Sequence, residues 1–497
     1  MSAALPPLIG ALLEPRCYPE PPAKVDLVET HASWLLIAGN FVYKIKKPVV
    51  LPFLDYGTLE RRLACCTAEL QLNRRFAPDL YLEVVSIVDQ GGRPVVGGSG
   101  RILEYAVKMR RFAESGRLDR LCVHHHLHPQ HVSELGTRIA AFHQAAAVAP
   151  PASDFGRPER VRSQVLDNLS TLEALLPDGP IQAQLTLLSA WSLRNSDRLV
   201  PQLAARRAAG RIRECHGDLH LGNLVLIGSR VRLFDCIEFS EDLRWIDVAS
   251  EIAFTYIDLL SHQQPALAGW FINEWLSASG DYAALAVLRY YAVYRALVRA
   301  KIAAIRAAQA SGDFSTAGHY LALGIHLTQA RAKRLIITHG LAGCGKSRAA
   351  RQLVLQDTAG STIRLRSDVE RKRLFGLAPT ADSKSPVDRG IYSPEASEQT
   401  YSRLHKLASE ALAGGWSVVV DAAFLQHSWR EDFRDLAKRA EVPFHIVAPQ
   451  ASHAQLRARL RRRNARGHDP SEATPAVLER QMACVDALTV DERQHLL

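Results

Sequence analysis

The spacing of apolar residues changes along the chain, and the changes divide it. Residues 22–112 carry short apolar stretches bounded by turn residues. SWLLIA and FVYKI flank Gly39-Asn40, which predicts an antiparallel hairpin, and LYLEVVSIV and ILEYAVKMRRF predict further strands. Between them Leu59, Leu63, Cys66 and Leu70 recur at helical spacing, with Thr58 placed to cap the helix. From about Leu118 helical periodicity takes over, broken by a Pro/Gly/Ser-rich stretch at 146–158. Within this helical region LVLI (Leu224–Ile227) and VRLF (Val231–Phe234) are joined by Gly228-Ser229-Arg230 and predict a second hairpin. IDVASEIAF opens a buried helix with Asp247 at its start, and helices continue to Gln309. The basic face of YRALVRAKIAAIRAAQA is expected to meet solvent. After a break at Ser311–Ala317 and one more helix, the pattern changes again at about Lys333. Apolar strands now alternate with helical segments, as in a parallel sheet: LIIT, a strand ending at Asp368, WSVVV ending at Asp421, and HIVAP.

A length of 497 residues is too great for one ordinary domain. The composition, 47% hydrophobic and 23% charged, is that of a globular protein, and no apolar run is long enough for a transmembrane helix. The N-terminal MSAALPPLIGALLEP lacks the basic region of a signal peptide and is broken by prolines, so the cytoplasm is expected. The eight cysteines form no CxxC pair, which argues against a disulfide framework and a structural zinc site. His124–His131 (HHHLHPQH) fits no fixed ligand spacing and reads as a polar loop entering a helix. The net charge of +10 suits nucleic acid, polyanionic nucleotides or simply a basic solvated surface, and alone decides between none of them.

Two stretches carry chemistry. The first is HGDLHLGNLVLIGSRVRLFD (His216–Asp235). Its hairpin sets Asn223, entering one strand, beside Asp235, leaving the other, with Asp218 just upstream. A few hard oxygen ligands suit a Mg²⁺ ion that nucleotide phosphates also hold. The second is LIITHGLAGCGKSRAARQLV (Leu335–Val354), a strand, then G-x-x-x-x-G-K-S, then a helix. This is a P-loop in its confirming context. Gly340, Gly343, Cys344 and Gly345 let backbone N–H groups wrap phosphates at a helix N-terminus. Lys346 is expected at the β/γ-phosphates and the Ser347 hydroxyl on Mg²⁺. Asp421 takes the Walker B position, and Asp368 is expected to face the P-loop from the carboxyl end of its strand.

The HGDLHxGN spelling, the hairpin and the following aspartate resemble the aminoglycoside phosphotransferase group of the protein-kinase-like fold. The resemblance implies that Asp218 orients or deprotonates an acceptor hydroxyl and that Asn223 and Asp235 hold Mg²⁺. It implies that Lys44, in VYKI, reaches the phosphates and pairs with Glu69, and that Ala106–Met109 lie at a hinge that meets adenine. It implies that Asp247 braces the catalytic loop, and it leaves Glu238 without a role. No GxGxxG precedes Lys44. The second half resembles the gluconate kinase, chloramphenicol phosphotransferase and polynucleotide kinase branch of P-loop kinases. There Asp368 would activate an acceptor hydroxyl, Arg371 would help position the acceptor, and one or more of Arg459, Arg463 and Arg466 would belong to a phosphate lid. The basic run Arg371-Lys372-Arg373 suits an anionic acceptor.

Taken whole, the chain resembles bacterial fusions of these two kinds of domain. The expected fold is a bilobal α+β protein-kinase-like domain over 1–332, with its N-lobe at about 22–110 and its C-lobe at 111–332. An α/β P-loop kinase with a parallel sheet would follow over 333–497. The expected activity is a bifunctional phosphotransferase that uses ATP and Mg²⁺ on hydroxyls of small-molecule acceptors, with no membrane partner. Two competitors remain: a C-terminal polynucleotide 5′-kinase acting on nucleic acid, and one domain acting as an ATP-bound regulator of the other.

Overall fold

The computed structural model describes residues 5–497 apart from 31, 52–53, 311, 386–388 and 467–470, and for 51 and 463–466 the backbone alone. It divides into two compact units. One holds the N-terminus to Leu127 with 146–156 and 210–251; the other holds 128–145, 157–209 and 252–497.

In the first unit, six strands form an antiparallel sheet in the spatial order Val25–Glu29, Ser33–Ala38, Phe41–Lys46, Arg101–Arg110, Tyr81–Gln90 and Arg93–Val96. The alternation of FVYKIK has a direct consequence. Tyr43 and Ile45 join a core with Trp34, Leu36, Ile9 and Leu12, so Lys44 and Lys46 project from the opposite face. The helix Leu59–Arg74 provides their partner, and Thr58 caps it by accepting from the Arg61 N–H. Its most buried positions are Arg62, Cys66, Glu69, Leu72 and Asn73, whereas Leu59, Leu63 and Leu70 of the predicted apolar stripe are half-buried. Charge explains the difference. The Arg62 Nε donates to both oxygens of Glu104 at 3.0 and 2.9 Å, and Glu69 meets lysines, so the inner face is held by ion pairs.

The hinge expected at Ala106–Met109 is mid-strand. These residues pair with Val42–Ile45 on one side and with Tyr81–Val85 on the other. Their backbone groups are committed to the sheet, and the chain leaves it only after Arg110. The second hairpin forms as Leu224–Ile227 against Arg230–Leu233.

The second unit contains the long helices and a four-stranded parallel sheet. Its strand order is Thr362–Arg366, Ser417–Asp421, Leu335–Thr338, Phe444–Val447. The strand expected to end at Asp368 stops at Arg366, and Asp368 lies in the first turn of the helix Ser367–Leu374. The two-domain architecture of a kinase-like antiparallel sheet followed by a parallel P-loop sheet is thus present. The basic face of the helix Leu285–Gln309 meets solvent only in part. Arg295 is buried, with its guanidinium 4.6 Å from the Phe254 ring centroid, and Arg299 donates to the Tyr320 hydroxyl at 3.3 Å. His131 serves its own helix start, where its Nδ1 accepts the His128 N–H. The His124–His131 run supplies no group of three converging ligand atoms among the described residues.

One ion pair in this unit is fully enclosed. Arg206, on the helix Val200–Ala208, donates to both oxygens of Asp281 at 3.0 and 2.9 Å, and both side chains are under 5% exposed. Arg206→Met removes both of these bonds from a carboxylate that stays in the interior. It is expected to cost about 3–5 kcal/mol, read as a lower urea midpoint at unchanged slope.

Candidate active sites

The first site is assembled from the sheet, one helix and the loop around the second hairpin. Gly217 sits at φ +89°, and a Cβ there would come within 2.7 Å of the Leu243 carbonyl, so HGD requires its glycine. The loop is braced from beneath. Glu251 accepts the backbone N–H groups of His216 and Gly217 at 2.8 and 2.9 Å. Burial holds the His216 pKa below its usual value, so its ring is neutral. Its Nε2–H donates to the Phe234 carbonyl at 2.9 Å, which leaves Nδ1 to accept the Asp218 N–H at 3.4 Å. Asp247 accepts the Ala249 N–H at 2.8 Å at the start of the next helix.

On this frame the expected residues form two groups, Asn223 with Asp218 and Lys44 with Glu69 and Asp235. The Asn223 Nδ2 donates to the Asp218 carbonyl at 2.9 Å and to its carboxylate at 3.1 Å. That orientation turns the amide oxygen of Asn223 away from Asp218. The Phe234 N–H donates to the Asn223 carbonyl at 3.0 Å and extends the hairpin by one rung. Asp235 follows at φ +63°, in the left-handed region, and its N–H donates to the Tyr81 hydroxyl at 3.0 Å. Lys44 Nζ lies 2.8 Å from Glu69 and 2.5 Å from Asp235. Asp218 and Asp235 are each more than a third exposed, whereas Glu69 is fully buried.

Two residues complete the cluster that the kinase-like pattern does not include. Lys46 Nζ meets the other oxygen of Glu69 at 2.7 Å and also pairs with Glu238, which accepts from the Tyr56 hydroxyl as well. Two signals in the chain point to them: Lys46 is two residues from Lys44 on the same strand face, and Glu238 is three residues past Asp235. Burial opposes charge on Lys44 and Lys46, but the surrounding carboxylates outweigh it and hold both ammonium groups charged. Burial likewise raises the Glu69 pKa, and the two lysines overcome it and hold Glu69 at about 2.

The second site is the P-loop between Leu335–Thr338 and the helix Lys346–Leu355. Gly340, Gly343 and Gly345 all have positive φ. At Gly343 a Cβ would press within 3.1 Å of the Leu456 carbonyl, because the helix His453–Arg466 packs over the loop. Leu456, Leu460 and Leu478 enclose Ala342 and Cys344 there. The Ala342 N–H is bound by Gln481 at 2.7 Å, while those of Gly343, Gly345, Lys346 and Ser347 have no protein acceptor among the described residues. Lys346 Nζ donates to the carbonyls of Gly340 and Leu341 at 2.7 and 2.8 Å. The Ser347 hydroxyl donates to one oxygen of Asp421 at 3.1 Å. The other oxygen of Asp421 is held by Arg364, whose Nε and Nη2 lie at 3.1 and 2.5 Å.

Asp368 is half-buried, and Tyr392 and Tyr401 feel its charge. The neighbouring basic run does not offer free cations to an anionic acceptor. Arg371 is buried and donates to the Ile391 carbonyl at 2.8 Å, Lys372 pairs with Glu472 at 2.9 Å, and Arg373 pairs with Glu370. Of the lid arginines, Arg459 donates to the carbonyls of Gly343 and Cys344 at 3.2 and 3.3 Å. The side chains of Arg463 and Arg466 lie outside the described residues.

Two family models match the chain. Residues 93–297 match the phosphotransferase enzyme family, a span that contains Asp218, Asn223 and Asp235. Residues 335–488 match an AAA domain family, a span that contains the P-loop, Asp368 and Asp421. The chain is a kinase-class phosphotransferase that joins a phosphotransferase-family domain to a P-loop nucleotide-binding domain. Lys44 and Glu69 precede the first match and stand on geometry. An uncharacterized protein of Mycobacterium tuberculosis is 28% identical over 422 residues, which is 83% of this chain and 81% of its own. Among solved structures, amicoumacin kinase in complex with AMP-PNP and Ca²⁺ aligns with 64% of this chain and 91% of its own at 14% identity, with a TM-score of 0.41. Kti12 of Chaetomium thermophilum in complex with ADP-AlF3 aligns with 33% of this chain and 88% of its own at 18% identity, with a TM-score of 0.26. Among the described residues no helix is long and apolar enough to cross a membrane.

Glu69→Gln removes the carboxylate shared by two buried lysines, one of the three that face them, and is expected to cost about 3–5 kcal/mol. The pH dependence follows from the sign of the shift. A carboxyl held at about 2 in the fold and near its ordinary 4.5 when unfolded adds stability above about pH 4.5, and that stability is lost as pH falls towards 2. Denaturant titrations across this window should show the rise in the wild-type protein and a flatter profile in Glu69→Gln.

Proposed function

We propose that the chain is a bifunctional cytoplasmic enzyme that moves the γ-phosphoryl group of Mg·ATP to hydroxyl groups of small-molecule acceptors at two separate sites. The supporting observation is a complete donor and carboxylate set in each unit. Lys44 pairs with Asp235 and Asn223 with Asp218 in one, and a full G-x-x-x-x-G-K-S loop has its Ser347 bonded to Asp421 in the other. We divide the activities near residue 333, with 1–332 and 333–497 as the two catalytic modules.

The residues fit Mg²⁺ at both places. The amide oxygen of Asn223 and the carboxylate of Asp235 are hard ligands beside an acceptor-side carboxylate, and Ser347 with Asp421 offers a hydroxyl and a carboxylate next to a P-loop. Bound there, the ion would neutralise phosphate charge. The chain's own groups do the rest by position and electrostatics. Lys44 and Lys346 hold the phosphates, and Arg459 lies over the P-loop through its bonds to the Gly343 and Cys344 carbonyls. The acceptor oxygen forms the new bond to phosphorus as the bond to the bridging oxygen of ADP breaks. The acceptor proton passes to Asp218 at one site and to Asp368 at the other. Engagement of Arg371, Lys372 and Arg373 inside the protein favours a small acceptor over a nucleic-acid strand at the second site.

Turnover with a panel of hydroxylated metabolites, and with oligonucleotides alongside, tests the reading. Asp218→Ala should lower one acceptor-dependent activity by about 10²–10⁴-fold and spare the other. Lys346→Ala should do the reverse. Loss of all turnover in either variant, with nucleotide binding retained in both, would replace the two-enzyme reading with one in which a domain regulates the other. Phosphorylation of oligonucleotide ends with steep salt dependence would replace the small acceptor with nucleic acid.

A further inference from the structure

The strand Thr362–Arg366 lies at the edge of the parallel sheet, so its outward N–H and C=O groups have no neighbouring strand. An edge of this kind must be covered or hydrated. The helix Pro265–Ser279 covers it, and it does so with one side chain. The Asn273 Nδ2 donates to the Thr362 carbonyl at 2.8 Å, and its Oδ1 accepts the Arg364 N–H at 2.6 Å. The amide thus stands in for the peptide unit of an absent strand, and it is almost wholly buried. The same helix is clamped at two other points of this unit. Gly269 packs against Gly360 so closely that a Cβ would lie 3.1 Å from the Gly360 Cα, and the guanidinium of Arg351, on the P-loop helix, sits 5.0 Å from the Trp270 ring centroid.

The residue whose backbone Asn273 holds is the one whose side chain holds Asp421. Both the Nε and the Nη2 of Arg364 are directed at a single oxygen of that carboxylate, and both partners are under 10% exposed. The other oxygen is thereby left to the Ser347 hydroxyl. A planar guanidinium fixes the rotation of a carboxylate in a way that an ammonium cannot.

We infer that Asn273 and Arg364 are positioning residues for the P-loop site: Asn273 fixes the backbone of the edge strand, and Arg364 fixes which oxygen of Asp421 faces Ser347. The inference rests on the proposed binding of Mg-nucleotide at the P-loop. It makes the second site dependent on a helix that lies within the phosphotransferase-family match and in the same compact unit as the P-loop.

The test is binding of a fluorescent ATP analogue to the full chain, with and without Mg²⁺, and Lys346→Ala defines the share of binding that belongs to the P-loop. Arg364→Lys keeps the charge and loses the fork, and it should weaken the Mg²⁺-dependent part of that share by about tenfold, the size typical of a residue that orients a metal ligand. Mg²⁺-free binding should be unchanged. Asn273→Ala should act in the same direction, with circular dichroism as its check on folding; if it does not fold, Arg364→Lys decides alone. Wild-type Mg²⁺ dependence in Arg364→Lys, with the P-loop share intact, overturns the inference. Binding by Lys346→Ala equal to wild type overturns the P-loop reading beneath it, and with it the inference.

Discussion

A carboxylate with no access to water must be matched by cations, and Glu69 is matched by two. One of its oxygens faces Lys44 and the other Lys46, and those lysines continue to Asp235 and Glu238. Two cations and three carboxylates are thus locked together across a strand, a helix and the segment after the second hairpin. Such a network costs a great deal of desolvation, and only good geometry with every member partnered offsets it. This requirement explains why the inner face of the helix Leu59–Arg74 is polar. It also leaves Lys44 poised between a structural partner and a half-exposed one: Glu69 cannot leave, whereas Asp235 faces solvent.

The loop that carries Asp218 is held by a different device. Here backbone groups, not charges, need partners, and Glu251 and the neutral His216 provide them. Gly217 allows the chain to pass under the Leu243 carbonyl, and Asp235 takes a left-handed conformation that its Tyr81 contact supports. Strain and close approach gather where the carboxylates must point outward, as expected where function competes with packing.

The P-loop site relies on its glycines and on the covering of a sheet edge. Its glycines admit backbone N–H groups to one point, Leu456 and Leu460 pack behind them, and Arg364 sets the carboxylate opposite. Both sites in this chain therefore present the same elements, a lysine, a hydroxyl or amide, and a carboxylate, on unrelated backbones. In the proposed reading phosphoryl transfer would draw on those elements, and the selection of an acceptor would fall to side chains dispersed around them.

The order of elements was legible in the sequence because it depends on local rules. Apolar stretches on either side of Gly39-Asn40 marked SWLLIA and FVYKI, the turn at Gly228 marked the second hairpin, and the glycine spacing marked the phosphate loop. HGDLHLGN and GLAGCGKS brought Asp218, Asn223, Asp235, Lys346 and Ser347 forward for the same reason: each set lies within a short segment. The tertiary structure alone decided the contacts between residues far apart in the chain. The Lys46–Glu238 pair, the capture of Asp421 by Arg364, the use of Asn273 as a substitute strand and the pairing of Lys372 with Glu472 each join segments whose separation carries no periodic signal. A charged residue reads the same in a sequence whether it meets water or a partner, and burial settles which. That is why the expected hinge at Ala106–Met109 and the expected cationic face after Asp368 gave way to paired backbone and paired side chains.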